Sequence, residues 1–227
     1  MRSGGGLAVQ LQVEGEPVLV VGGGSVAARK CRSCLAAGAV VTVVAPELSP
    51  AAVEMHLQGE ITWVSRRFQP GDTRGYLLVF AATDDRHLNQ AIAAEARVNR
   101  VLVDVVDDPA SGNFISPAVL KRGGLTIAVS TEGAAPVLAR QIRDAIAAEY
   151  GDEYALVVQL LAAVRQKLLT ESHNRPYNNR IFEALAASEL PKYCREGDVA
   201  AINRLLGEAV GNGCTLAQLG LTAKGLS

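Results

Sequence analysis

The chain has 227 residues, which is long for one domain and short for two, so we expect one main domain with a smaller appendage. Apolar residues make up 49% of the sequence, aromatic residues only 4%, and the formal net charge is −1. A chain this apolar is not disordered. Its near-neutral charge and few rings argue against a partner that is nucleic acid or an anionic membrane.

The first half of the chain alternates short apolar runs with helical segments. Residues 17–21 (PVLVV) and 40–44 (VVTVV) are typical of parallel strands buried on both faces. The pattern predicts further strands at 61–65, 76–82 and 101–106, and helices at 25–37, 49–57 and 84–100. This order predicts an α/β fold with a doubly wound, Rossmann-like parallel sheet.

The pattern changes after this half. A turn-rich segment at 107–113 precedes a strand at 125–130, a loop at 131–135 and a helix at 136–150. Helices then follow at 152–169, 178–187 and 198–209, with Pro191 between the last two. The central piece is small for a core of its own, which favours pairing with a second copy. We therefore divide the chain into residues 1–112, 113–150 and 151–227.

A glycine turn joins the first predicted strand to the first helix, and its sequence fits G-x-G-x-x-A. Such a turn lets a pyrophosphate approach the backbone, while the helix start offers free N–H groups to the phosphates. The alternative is a glycine turn that binds another ligand or none. The predicted cofactor-binding residues of this turn are Gly22, Gly24, Ser25, Val26 and Ala27.

The end of the second strand bears on the choice between NAD and NADP. No acidic residue stands at the tip of this strand, but Pro46 and Glu47 follow shortly after it. No Arg or Lys follows for about a dozen residues, so nothing in this stretch is placed to hold a 2′-phosphate. We therefore expect NAD, with Pro46 and Glu47 at its ribose.

Four segments together resemble one family, namely VVGGGSVAARK (20–30), AATDD (81–85), VVDDPASGNFISPA (105–118) and VSTEGAAPVLAR (129–140). They are similar to the precorrin-2 dehydrogenases, which include the N-terminal module of siroheme synthase and bifunctional dehydrogenase–ferrochelatases. The resemblance covers roughly residues 10–150. It implies NAD-dependent oxidation of precorrin-2 to sirohydrochlorin in sirohaem or cobalamin biosynthesis. It also implies a Rossmann domain, a dimerisation region with swapped elements that makes a homodimer, and a helical C-terminal domain.

Asp107 matches the aspartate of the family's V-V-D-x-P segment, which is implicated in dehydrogenation and, in some members, metal insertion. The residue follows a predicted strand, at the carboxyl end where open α/β sheets place ligands. A carboxylate there can take the proton that accompanies hydride transfer. The alternative is that Asp107 or Asp108 only shapes the turn before Pro109.

Thr83 and Asp84 follow another predicted strand on the same rim. They are candidates to contact the cofactor's ribose or phosphate. The structural alternative is that Thr83 or Asp84 is the N-cap of the next helix, and both roles can hold together.

The remaining candidates concern the tetrapyrrole substrate. The family loop often has S-S-G-G, whereas this chain has Ser130, Thr131 and Glu132, so a phosphoserine is not carried over and Glu132 adds negative charge. A substrate with eight carboxylates requires local cations, for which Arg140 and Arg143 lie one helical turn apart. The alternative for each of them is a place on a solvated helix face. The predicted substrate-binding residues are Asn113, Ser130, Thr131, Arg140 and Arg143. In the helical tail, Tyr177 and Tyr193 are candidates to border the substrate cleft.

No metal site is predicted. Cys31 and Cys34 form C-x-x-C inside a helix, but Cys194 and Cys214 are single and distant, and His56, His87 and His173 are scattered. Four cysteines do not form a disulfide scaffold, and no segment is long enough to span a membrane or typical of a secretory signal, so we expect a cytoplasmic protein. Two functional alternatives stay open: insertion of Fe²⁺ or Co²⁺ into sirohydrochlorin, and a non-catalytic sensor of NAD or tetrapyrrole.

Overall fold

A computed structural model describes residues 6–171, 179–211 and 213–221. Two residues named above, His173 and Tyr177, lie outside the described residues. The strands are β1 (Pro17–Val21), β2 (Val40–Val44), β3 (Ile61–Val64), β4 (Leu78–Ala81), β5 (Leu102–Val105), β6 (Ala118–Arg122) and β7 (Leu125–Val129). The helices are α1 (Ser25–Leu35), α2 (Pro50–Leu57), α3 (Arg86–Val98), α4 (Pro136–Glu149), α5 (Glu153–Glu171), α6 (Asn179–Ala186), α7 (Leu190–Glu196) and α8 (Val199–Val210).

Strands β1 to β5 form one parallel sheet in the order β3-β2-β1-β4-β5. Val20 lies at its centre, opposite Val43 of β2 on one side and Phe80 of β4 on the other. The predicted Rossmann-like sheet is confirmed, and β1 and β2 have the predicted bounds. The apolar runs succeed as predictors here because a central parallel strand is covered on both faces.

Helices cover both faces of this sheet, and each face has its own core. On one face, side chains such as Val18, Val41 and Val43 pack with Cys31 of α1 and Met55 of α2. On the other face, residues including Leu19, Val79 and Val103 pack with Ile92, Ala93 and Ala96 of α3. The core consists mainly of β-branched and small residues, as the low aromatic content predicts.

The chain separates into two compact units. One contains the residues up to 116 together with 132–134, and the other contains 117–131 together with the residues from 135 onward. The prediction of three parts at 1–112, 113–150 and 151–227 stays a prediction. Of the helices in the described part of the chain, none has the length and apolar character needed to span a membrane.

The second unit begins with an antiparallel hairpin that was only half predicted. β6 pairs with the predicted strand β7 through the two-residue turn Gly123–Gly124. Gly123 has a φ of 54°, and a Cβ at this position would lie 2.9 Å from that of Ala155 in α5. The pair of glycines between two alternating runs was the available signal for the hairpin.

The helices α5 to α8 share a core that includes Leu160, Leu190, Ile202 and Leu206. Helix α7 was not predicted, because Pro191 was interpreted as punctuation between helices. Pro191 instead occupies the first turn of α7, where the missing N–H has no intrahelical partner to lose.

Candidate functional site

The strand order creates a crevice at the carboxyl ends of β1 and β4. The chain leaves β1 through α1 towards β2 on one side, and leaves β4 through α3 towards β5 on the other. The two connections diverge, so an opening forms between them above the strand ends. Gly22 follows β1 directly, and Thr83 lies just after β4.

The glycine turn is held between the ends of the neighbouring strands. Gly22 has a φ of 120°, and a Cβ there would collide with the carbonyl oxygen of Ala82. A Cβ on Gly23 would collide with the carbonyl oxygen of Glu47, while the Gly23 carbonyl accepts a hydrogen bond of 2.7 Å from Ser49 N. The turn therefore brings together the three segments that were predicted to bind the cofactor.

Gly24 differs from its two neighbours because it faces open space. A Cβ at this position would meet no heavy atom within 4 Å, and Gly24 is the N-cap of α1. Among the described residues, no side chain makes a capping hydrogen bond to this helix. Ser25 is exposed, Val26 is half-buried, and Ala27 is fully buried against the sheet. An uncapped helix start beside open space fits a pyrophosphate.

Asn89 of α3 joins Thr83 to Asp107 in a continuous hydrogen-bond network. Its Oδ1 accepts from Thr83 N at 3.2 Å and from Thr83 Oγ1 at 2.7 Å. Its Nδ2 donates to Thr83 O at 3.0 Å and to Asp107 Oδ1 at 2.9 Å. The ends of β4 and β5 are thereby connected through one buried amide.

The two neighbouring aspartates after β5 have different surroundings. Asp108 accepts a hydrogen bond of 2.8 Å from Ser111 Oγ and lies 3.5 Å from the Arg86 guanidinium. The hydrogen bond from Ser111 and the charge of Arg86 hold the pKa of Asp108 below its ordinary value, against the opposing effect of burial. Asp107 is exposed. Asp108 thus shapes the turn, while Asp107 presents a carboxylate at the rim.

The N-cap of α3 is Asp85, so the prediction of Thr83 or Asp84 at this position was wrong. Asp85 Oδ1 accepts from the backbone N–H groups of His87 and Leu88, at 2.9 and 3.1 Å. Thr83 is half-buried and hydrogen-bonded to Asn89, whereas Asp84 is exposed. In the preceding helix, Ser49 is the N-cap of α2, although its side chain makes no capping bond among the described residues.

The predicted substrate-binding residues fall in both units. In the first, the Asn113 amide binds β5, since its Oδ1 accepts from Val103 N at 2.7 Å and its Nδ2 donates to Val101 O at 3.2 Å. In the second, Ser130 and Thr131 directly follow β7. Thr131 Oγ1 accepts a hydrogen bond from Ala135 N at 3.0 Å. Glu132 has a φ of 52°, the left-handed conformation in which the family's glycine is unstrained.

The two predicted cations on α4 differ in their pairing. Arg140 is exposed, whereas Arg143 is half-buried and forms an ion pair of 2.6 Å with Asp144. Elsewhere in the same unit, Arg122 pairs with Asp152 at 3.0 Å and Lys121 is exposed. In the helical tail, the Tyr193 hydroxyl donates to Glu189 Oε2 at 2.9 Å. Arg140 and Lys121 are therefore the more accessible of these charges.

The cysteines have the environment of inert thiols. Burial raises the pKa of Cys31 to about 12 and that of Cys34 to about 11, so both are protonated at neutral pH. In the described ranges, no group of three or more His, Cys, Asp or Glu side chains is arranged to hold a metal ion.

Residues 9–118 match a family model described as NAD(P)-binding, and residues 122–149 match one described as the central part of a sirohaem biosynthesis protein. Siroheme synthase 3 of Aeromonas hydrophila is 38% identical over 200 residues, which cover 88% of this chain and 43% of that protein. The siroheme synthase of Methylococcus capsulatus is 40% identical over 185 residues, which cover 80% of this chain and 39% of that protein. The chain thus spans less than half the length of these relatives. The solved structure of the precorrin-2 dehydrogenase SirC superimposes with a TM-score of 0.63 at 27% identity, covering 82% of this chain and 92% of that one.

The chain belongs to the precorrin-2 dehydrogenase family. This family also includes siroheme synthase modules. The two family-model matches, the siroheme synthase relatives and the SirC structure together confirm the resemblance found in the sequence. The NAD(P)-binding match supports the predicted nicotinamide dinucleotide cofactor, and the choice of NAD over NADP stays a prediction. The open space at Gly24 and the uncapped start of α1 fit that group. The assignment of individual residues to it stays a prediction.

Asn89 is the residue of this rim that the sequence analysis missed. It lies on the stripe of α3 formed with Ile92, Ala93 and Ala96, where the helical period places apolar side chains against the sheet. A polar residue in such a stripe was the available signal, because a buried amide requires hydrogen-bond partners.

Proposed function

We propose that the protein oxidises precorrin-2 to sirohydrochlorin with NAD, as the family resemblance implies. The observation that carries the proposal is the exposed Asp107 carboxylate, which is linked through Asn89 to Thr83, next to Gly22 of the glycine turn. The relatives are named siroheme synthases, and the similar solved structure is a precorrin-2 dehydrogenase.

The proposed reaction removes two hydrogens from the substrate, one as hydride and one as a proton. NAD supplies the hydride acceptor when it is bound. The N–H groups at the start of α1 bind the pyrophosphate, with Gly24, Ser25, Val26 and Ala27 lining its path. Pro46, Glu47, Thr83 and Asp84 border the rest of the cofactor. Asp107 accepts the proton on its carboxylate and returns it to water, so atoms and charge balance.

The substrate's carboxylates require hydrogen-bond donors and cations from this chain. We propose Asn113, Ser130, Thr131, Arg140 and Arg143 for that role, with Arg140 contributing most because it is exposed. We further propose that residues 1–112, 113–150 and 151–227 form three functional parts and that the protein is cytoplasmic.

We also propose a homodimer formed through the second unit. Helix α4 exposes Val137, Leu138 and Ile142, and β6 exposes Val119. These side chains belong to the elements of the predicted dimerisation region, and a second copy would remove them from water.

The test of the proposed activity is a paired assay on one preparation of the protein. With NAD⁺ and precorrin-2, we expect one NADH per sirohydrochlorin formed. The variant Asp107→Asn should lower kcat about 10²–10⁴-fold, because it cannot accept the proton. The matched variant Asp108→Asn should leave kcat within about 3-fold of wild type, because Asp108 supports only the turn.

Three outcomes of this assay separate the alternatives. Full activity of Asp107→Asn would contradict the assignment of the base. Consumption of Fe²⁺ or Co²⁺ with sirohydrochlorin in the absence of NAD would show that the protein is also a chelatase. In that reaction, the Asp107 carboxylate can accept the protons that the pyrrole nitrogens lose. Binding of NAD with no NADH formed from precorrin-2 would favour the sensor and overturn the dehydrogenase.

A further inference from the structure

Asn89 has a polar side chain, yet it is fully buried among the apolar residues with which α3 packs on the sheet. Burying an amide without hydrogen bonds is unfavourable, because the amide loses its bonds to water. All four hydrogen-bonding positions of this amide are used, three towards Thr83 and one towards Asp107. The amide is therefore compatible with burial only because these partners are in place.

The orientation of the Asn89 amide follows from its backbone partners. Thr83 N–H can only donate and Thr83 C=O can only accept, so Oδ1 faces the first and Nδ2 faces the second. The remaining N–H of Nδ2 must then point to Asp107 Oδ1, at 2.9 Å. This contact is a hydrogen bond from a neutral donor to a carboxylate and connects residues 18 positions apart in the chain.

We propose that Asn89 is the positioning residue that aims the Asp107 carboxylate at the substrate and aligns it with Thr83. The inference rests on the dehydrogenase function proposed above. Asp107 follows β5 on an exposed turn, where its side chain would otherwise sample several rotamers. A hydrogen bond on Oδ1 fixes the plane of the carboxylate and so the direction of Oδ2. A misplacement of about 1 Å at a reacting group can cost about 10²-fold in rate.

A merely structural role for Asn89 makes a different prediction. Three of its four hydrogen bonds hold the loop between β4 and α3, so removing them would lower stability alone. A positioning role also changes kcat and its dependence on pH, while leaving the binding of NAD nearly unchanged. The decisive measurement is thus made on the folded variant, with kcat and NAD affinity determined separately.

The variant Asn89→Asp tests the bond to Asp107 with almost no change in volume. Its carboxyl still accepts from Thr83 N and Thr83 Oγ1, but an oxygen now faces Asp107 and the Thr83 carbonyl, where the two N–H groups of Nδ2 stood. Two facing carboxyls retain a proton between them. We expect kcat at neutral pH to fall at least about 10-fold and the acid limb of its pH profile to move up by about one pH unit or more, with the Kd of NAD changed less than about 3-fold. The other charged groups of this rim are the same in both proteins: Asp84, Asp85, Arg86 and Asp108.

Two further variants control this comparison. Asn89→Ser removes the donor without adding a charge, so kcat should fall without movement of the acid limb. Asn99→Asp makes the same chemical change at the other end of α3, where the Asn99 amide donates to Thr73 Oγ1 at 2.8 Å. It should leave kcat and its pH profile as in wild type. Wild-type kcat and pH profile in both folded Asn89 variants would overturn the positioning role.

A stability cycle tests the same hydrogen bond without any assay of activity. In Asn89→Asp combined with Asp107→Asn, the donor and the acceptor exchange places and the bond is restored. The double variant should regain part of the thermal stability that Asn89→Asp loses, because the bond between positions 89 and 107 returns while the donor to Thr83 O stays absent. It should not regain the activity. Strictly additive losses would show that the two side chains are not coupled. If wild type makes no NADH from precorrin-2, the proposed function fails, whereas an active wild type with unaltered Asn89 variants refutes only this inference.

Discussion

Three consecutive glycines at the start of α1 serve different physical needs. Gly22 and Gly23 are required by the fold, because a Cβ on either would collide with a backbone carbonyl of a neighbouring strand end. Gly24 has an ordinary φ of −72° and open space around it. It is therefore dispensable for the chain itself, and its absent side chain leaves room for a ligand.

Alanine at Gly23 and at Gly24 should separate folding from cofactor binding. Gly24→Ala should keep the melting temperature within about 2 °C of wild type, while weakening the binding of NAD about 10-fold or more, because its methyl group occupies the space of the pyrophosphate. Gly23→Ala should lower the melting temperature instead, since either the turn or Glu47 must move. Calorimetry and titration with NAD measure both effects. Equal NAD affinity of Gly24→Ala and wild type would contradict the assignment of Gly24.

At the scale of elements, ion pairs with a buried carboxylate connect helices to their neighbours. In the first unit, Lys30 of α1 pairs with Asp104 of β5 at 2.7 Å, and Ser116 Oγ donates to the same carboxylate oxygen at 2.7 Å. In the second unit, Glu153 at the start of α5 accepts from Arg195 of α7, with Nε at 3.1 Å. Each pair joins segments that are distant in the chain, so each supports the packing of whole elements.

The pair between Glu153 and Arg195 should make stability depend on pH. Burial acts to raise the pKa of Glu153, but the hydrogen bonds and charge of Arg195, with backbone N–H groups, outweigh it and lower the pKa. A carboxyl whose pKa is lower in the folded state stabilises the protein above its unfolded pKa of about 4.3. This stabilisation is lost as pH falls through the folded value.

Glu153→Gln should therefore lower the melting temperature by about 2–4 °C at neutral pH, and the difference from wild type should shrink below about pH 4. The matched variant Glu196→Gln, on an exposed position of α7, should have little effect. Thermal unfolding followed by circular dichroism measures both. A difference that stays constant as pH falls would show that the charge of Glu153 is not responsible.

At the scale of the whole molecule, the exposed apolar side chains of α4 are the feature that the single chain leaves unexplained. Leu138 is 49% exposed, and Val137 and Ile142 are also exposed. In a symmetric dimer each buried side chain counts twice, so a change at Leu138 would affect association strongly.

We expect the wild-type protein to be dimeric, and Leu138→Asp to weaken the dimer Kd about 10²–10⁴-fold, since burial of each Leu contributes about 1.5–3 kcal/mol. Leu57→Asp introduces the same charge at a leucine that is 79% exposed on α2 of the other unit, and should leave the dimer intact. Light scattering after size-exclusion chromatography distinguishes these states. A monomeric wild type at every concentration would contradict the homodimer.

The sequence by itself determined the periodic elements, the parallel sheet and the family. The buried runs at 17–21 and 40–44 and the G-x-G-x-x-A turn between strand and helix depend on neighbours in the chain, so their pattern is visible in one dimension. The same holds for the helix starts, although Asp85 rather than Thr83 or Asp84 caps α3. Local rules place an element correctly but do not choose among adjacent polar residues that compete for one position.

Only the tertiary structure decided which polar groups meet. Asn89 contacts Asp107 because β4, α3 and β5 return the chain to the same rim, and Gly23 is constrained because the end of β2 lies against it. The pairing of Asp108 with Arg86 depends on the same convergence. These contacts join residues far apart in the chain and depend on distances of a few ångströms. No periodicity encodes them, because they arise only when the sheet and its helices pack.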